Sequence, residues 1–69
     1  MIVYTPLWET LKRRNISIYK LIQTYGFSRG FIDNLKHNRS ITMKSLNDLM
    51  KQLDIKDITE IISYIPDND

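Results

Sequence analysis

The chain contains no cysteine, a single histidine, two glycines and two prolines in 69 residues, and each scarcity removes a class of reading. Without cysteine, neither disulfides nor thiolate metal sites can add stability. One histidine excludes a multi-histidine metal site within a monomer. No apolar run approaches the roughly 18 residues of a membrane span, and the N-terminus lacks a basic-then-apolar leader pattern. A cytoplasmic protein with no membrane role is expected. Glycine-rich phosphate loops, nucleophile–base pairs and metal-ligand clusters are also missing, so neither catalysis nor a small-molecule cofactor is expected. Repeats, low-complexity runs and linkers are absent from the pattern.

What remains suffices for one small core. Apolar residues make up 42% of the chain, which argues against disorder. A chain this short predicts a single domain over residues 1–69, marginal without good packing or a partner subunit. Its charge is unevenly placed. Between residues 12 and 44, Lys12, Arg13, Arg14, Lys20, Arg29, Lys36, Arg39 and Lys44 face Asp33 alone, a net of +7. Elsewhere Lys51 and Lys56 face seven carboxylates, a net of −5, which returns the overall +2. A concentrated basic segment is the electrostatic footprint of a phosphate-binding surface, and the acidic end is expected to face away from it.

The basic segment also holds the most regular pattern. In Ser17–His37, Leu21, Ile22 and Tyr25 recur at helical spacing before Gly26, a residue able to take a left-handed conformation at a helix end. Ser17 and Ser28 each stand where a side chain can cap a helix. Phe31, Ile32 and Leu35 then give a second helix its apolar stripe, leaving Arg29, Gly30, Asp33, Asn34, Lys36 and His37 on other faces. Two short helices around a glycine-containing turn form a helix-turn-helix pattern.

The flanks complete an all-α reading, a compact five-helix bundle. Thr5 is expected to cap a first helix with Pro6 at its first position and Leu7, Trp8 and Leu11 inward; Asn15 is its expected stop. After a loop at Asn38–Ile41, Thr42 caps a helix whose apolar side is Met43, Leu46, Leu49, Met50 and Leu53. Asp57 and Glu60 suggest a capping box opening a fifth helix with Ile58, Ile61 and Ile62. Ile2–Tyr4 and Ser63–Ile65, rich in β-formers, are expected to pair as a short antiparallel ribbon joining the ends. Asp67, Asn68 and Asp69 are expected to fray.

From Leu7 to about Ile62 the chain resembles the phage-repressor and Cro-like helix-turn-helix family, also called XRE-like. Leu21, Tyr25, Phe27, Ile32 and Leu35 stand where that family places apolar residues, with Gly26 at its glycine. The fourth helix and short fifth one follow the same plan, and the two β-rich ends look like a subgroup of single-domain regulators. One departure is Ile22, where the family usually has a small residue; Gly30 opposite is expected to accommodate its bulk.

The resemblance implies a sequence-specific DNA-binding regulator that places the helix from Ser28 to about His37 in the major groove. Base edges are then expected to meet Ser28, Arg29, Gly30, Asp33 and Asn34, with Arg29 forked onto guanine and Asn34 on adenine. Asp33 either accepts from a cytosine amino group or, more simply, orients Arg29. Phosphates are expected to meet Ser17, Lys20, Lys36, His37, Asn38 and Arg39, and also Arg13 and Arg14, whose simpler role is to complement the dipole of their own helix. So short a reading head implies a homodimer on double-stranded DNA with an inverted repeat, its contact made by the fifth helix or terminal strands. The competing reading is an antitoxin-like protein-interaction module on the same fold.

Overall fold

A computed structural model describes residues 1–67. In chain order they form β1 (Ile2–Val3), α1 (Thr5–Arg13), α2 (Ile18–Gln23), α3 (Arg29–Lys36), α4 (Met43–Gln52), a single 3-10 turn (Ile58–Glu60) and β2 (Ser63–Tyr64). Asn68 and Asp69, expected to fray, lie outside the described residues.

One apolar cluster joins every helix. Leu7 and Leu11 from α1, Leu21 from α2, Ile32 and Leu35 from α3, and Leu46 and Leu49 from α4 are all buried in it. Leu53, Ile55 and Ile61 close it from the C-terminal side. Each helix is short, so burial of these leucines and isoleucines, at roughly 1.5–3 kcal/mol per side chain, matters more than intrinsic propensity. Trp8 packs half-buried against the cluster, as a core tryptophan rather than a ligand platform.

Caps set where the helices begin. Ser17 Oγ accepts from the Lys20 N–H at 3.0 Å, and Ser28 Oγ accepts from the Phe31 N–H at 3.1 Å. Thr42 Oγ1 does the same for the Ser45 N–H at 3.0 Å. The start of α1 departs from expectation: Tyr4, without a side-chain cap, precedes Thr5, and Pro6 falls inside the first turn. Tyr4 is held there by other bonds, and a first-turn proline still forfeits no helical donor.

Three helices end alike. Asn15, Asn38 and Asp54 take the left-handed conformation at φ 58°, 54° and 53°. The amide after each one closes back onto its helix: Ile16 to the Leu11 carbonyl at 2.9 Å, Arg39 to Asn34 at 2.8 Å, and Ile55 to Met50 at 2.9 Å. These are Schellman closures in which Asn or Asp replaces glycine, tolerable because their short polar side chains lower the left-handed penalty. Gly26, at φ 79°, makes the fourth stop.

The fifth helix is not formed; among the described residues there are four α-helices. Asp57 Oδ1 accepts from both the Thr59 N–H at 2.9 Å and the Thr59 hydroxyl at 2.7 Å, which winds a tight three-residue turn. Glu60 does not return to Asp57 as a capping box would; its Oε1 lies 3.4 Å from Arg13 Nη2. Beyond Ile62 the chain is drawn into the terminal ribbon, leaving no residues for a second helical turn. There Ile2 pairs with Tyr64 and Val3 with Ser63, antiparallel, and Ile65 N–H donates to the Met1 carbonyl at 2.8 Å. Ribbon pairing is thus as expected, over two residues per strand. Met43 also departs from expectation: it opens α4 but stays 74% exposed.

Candidate nucleic-acid interface

The interface rests on α2, α3 and the turn between them. Gly26 reverses the chain after α2, and the Phe27 N–H donates to the Leu21 carbonyl at 3.1 Å. Phe27 and Phe31 then stack at 5.5 Å between ring centroids, pinning the turn to the first turn of α3. With the Ser28 cap this fixes the direction of α3 by backbone, hydroxyl and ring contacts together.

Ile32 and Leu35 bury one side of α3, with Phe31 half-buried beside them. At about 100° per residue, Arg29, Gly30, Asp33, Asn34, Lys36 and His37 occupy the opposite arc, about 160° wide. All are exposed except Asn34, which is half-buried. Every base-contact candidate except Ser28, the cap of α3, therefore shares one face with Lys36 and His37. Among the described residues Arg29, Lys20 and Lys36 make no ion pair, and their charges face solvent.

Asp33 corrects the expectation that it orients Arg29. Its Oδ2 accepts from Arg39 Nη1 at 3.1 Å, and its Oδ1 lies 3.3 Å from His37 Nδ1. That same Nδ1 is 2.9 Å from the Asp33 carbonyl, so both neighbours are acceptors and Nδ1 must carry hydrogen. The partner change follows from the Asn38 stop, which folds Arg39 back beside the helix it has just left.

Gly30 also differs from expectation. A Cβ placed there would meet nothing within 4 Å, so Ile22 does not crowd it. Ile22 instead helps floor an open groove between α2 and α3, with Ile18 also on the α2 side and Arg29 and Lys36 on the α3 side.

Three phosphate candidates have structural work. Arg13 Nη2 donates to Thr10 Oγ1 at 3.1 Å and faces Glu60, while Arg14 donates to the Leu53 carbonyl at the end of α4. Their guanidiniums brace α1 against the C-terminal half. Asn38 Oδ1 accepts from the Tyr4 N–H at 3.0 Å, which leaves only its amide hydrogens for an outside partner. Ser17 and Ser28 accept through their hydroxyl oxygens at the caps, which leaves each O–H free to donate to an anion beside the unpaired N–H groups of the helix start.

Sequence reasoning misses the brace beneath this face. Tyr4, 4% exposed, donates its hydroxyl to the Arg39 carbonyl at 2.7 Å, and burial raises its phenol above the ordinary 10.0. With the Asn38 bond, it fastens the segment after α3 to the N-terminus. Three consecutive β-forming residues, Ile2–Val3–Tyr4, hint at burial but not at this partner. Thr10 carries no signal of its own in the sequence: 1% exposed, it donates to the Glu60 carbonyl at 2.8 Å. Tyr19, 72% exposed beside Lys20, is legible as the residue off the Leu21–Ile22–Tyr25 stripe.

No helix among the described residues is long and apolar enough to cross a membrane, and no group of three or more His, Cys, Asp or Glu side chains there could hold a metal ion. No curated protein and no solved structure matches the chain. A family model for the Cro/C1-type HTH DNA-binding domain matches residues 6–67, the span that contains the Gly26 turn, the exposed arc of α3 and all of the helices but the first residue of α1. The chain belongs to the Cro/C1-type helix-turn-helix family of DNA-binding regulators.

Proposed function

We propose that this regulator is sequence-specific, reading the major groove with α3 as a homodimer on an inverted repeat, in the cytoplasm, with its 69 residues acting as one DNA-binding domain. The observation that carries the reading is the uncommitted first turn of α3. Arg29 is exposed and unpaired among the described residues, beside Gly30, where the backbone is bare. A guanidinium there can fork onto guanine O6 and N7, while Asn34, one turn on, offers a donor and an acceptor for adenine. Lys20, Lys36 and the Asn38 amide flank this arc as positioning contacts to phosphate.

Two copies are needed because one α3 spans only a few base pairs. Support for the contact comes from the terminal ribbon and the start of α4, where Met1, Ile2, Met43, Tyr64 and Ile65 are all exposed. A groove of about 220 Å³ beside them is lined by Ile2, Ile41, Met43, Leu46 and Ile62 among others. Such a patch suits a second copy, with the two α3 helices about 34 Å apart along one face of the duplex. The same patch is what an antitoxin-like module would use, so DNA must decide. Selection of bound sites from random duplex should return an inverted repeat with half-sites one helical turn apart; salt-sensitive binding without preference would overturn sequence-specific reading.

A further inference from the structure

We propose that Asp33 is a specificity-determining residue that acts as a built-in competitor of phosphate, holding Arg39 and His37 away from indiscriminate contact with the backbone. The inference rests on the sequence-specific reading above and adds the mechanism by which this face rejects the wrong DNA.

Asp33 is the sole carboxylate between residues 12 and 44, where eight cations lie, and it stands in the middle of the exposed arc of α3. Both of its oxygens are occupied. Oδ2 accepts from Arg39 at 3.1 Å, and Oδ1 faces His37 at 3.3 Å. The backbone holds these partners in place independently of the carboxylate. Asn38 at φ 54° turns the chain back, and Tyr4 ties down both Asn38 and the Arg39 carbonyl.

The pair is too wet to serve folding. Asp33 is 53% exposed and Arg39 57%, and ion pairs in that setting contribute little to stability. Its consequence lies in what each group does near a polyanion. A cation that neutralises a phosphate releases counterions, and each such contact adds about 0.9 to the slope of log affinity against log salt. While Arg39 is paired with Asp33 its contribution is reduced, and the carboxylate itself repels nearby phosphates. Random duplex therefore gains less from this face than its cations would suggest. On a preferred site the pair opens: Asp33 accepts from a cytosine amino group in the groove and Arg39 moves to the flanking phosphate. The penalty is lifted only where a base offers that donor.

The test compares the wild-type chain with Asp33→Asn, Arg39→Ala, the double variant and Asp54→Asn on both random and preferred duplex over a fourfold salt range. Asp54→Asn removes the same charge at the end of α4. Asp33→Asn should tighten random-duplex binding and steepen its salt slope by about one unit, a change of about 3.5-fold across that range. Its preference for the selected site should fall several-fold. In the Arg39→Ala background the same substitution should change the slope little. Random-duplex binding that stays at the wild-type level in Asp33→Asn, or rises equally in Asp54→Asn, overturns the proposal, since then the pair carries nothing beyond net charge. A wild-type chain that binds duplex without preference instead removes the reading beneath it, and the inference with it.

Discussion

At the scale of single residues, position on α3 separates side chains that carry information from those that carry charge. Arg29→Ala should lose discrimination at one base pair, costing roughly 1–3 kcal/mol on the preferred duplex and much less on random DNA. Lys36→Ala should weaken both together and lower the salt slope by about one unit. Competition binding at two salt concentrations distinguishes them; an Arg29→Ala protein with unchanged base preference sinks the assignment. Tyr4 carries a different expectation, for pH. Its buried neutral phenol donates to Arg39, and burial raises its ionisation above that of an unfolded tyrosine. The stabilisation is therefore intact below about pH 10 and is lost as pH climbs through the raised value. Tyr4→Phe should cost about 1 kcal/mol near neutrality and flatten the alkaline fall in stability, measured by urea unfolding between pH 8 and 11.

At the scale of elements, the two glycines make opposite predictions, although a Cβ at either position would meet no neighbour within 4 Å. Gly26 sits at φ 79°, so Gly26→Ala should destabilise the turn by about 1 kcal/mol through backbone strain alone. Gly30 is within α3, and Gly30→Ala should stabilise by up to about 1 kcal/mol, less if its first-turn place softens the propensity term. Thermal melts give both signs. If Gly30→Ala is more stable yet binds DNA weakly, the bare backbone is needed by the duplex. All four helices are legible in the sequence because apolar residues recur at helical spacing in each. Ser17, Ser28 and Thr42 mark three of the starts, and Leu21, Ile32, Leu35, Leu46 and Leu49 follow them inward. The 3-10 turn is not legible, because Ile58, Ile61 and Ile62 have helical spacing although Ile58 stays 43% exposed. The face of α3 can be read from the sequence; the partners on it cannot. Asp33 meets Arg39, six positions on, only because Asn38 turns left-handed, and rules for neighbours three or four apart do not reach that far.

At the scale of the whole molecule, charge divides along the chain into a basic central segment and an acidic remainder, while five of the seven large apolar residues exposed among the described ones lie at the ribbon and the start of α4. Mass measurement on a minimal operator should find two chains per duplex, and Tyr64→Asp should reduce that to one with much weaker binding. A single wild-type chain per operator would contradict the dimer. The ribbon that joins the ends also bears on the order of events in folding. Met1 and Ile65, bonded at 2.8 Å, are 64 positions apart, whereas the helix caps close over three residues. Bringing such distant segments together costs roughly 4 kcal/mol of chain entropy before any ribbon bond forms, against far less for a helical turn. The helices should therefore assemble first and the ribbon zip last, after the rate-limiting barrier. Val3→Ala should then leave the refolding arm of a chevron plot almost unmoved and speed unfolding, so that the ends of the chain govern how long the folded molecule lasts rather than how quickly it forms.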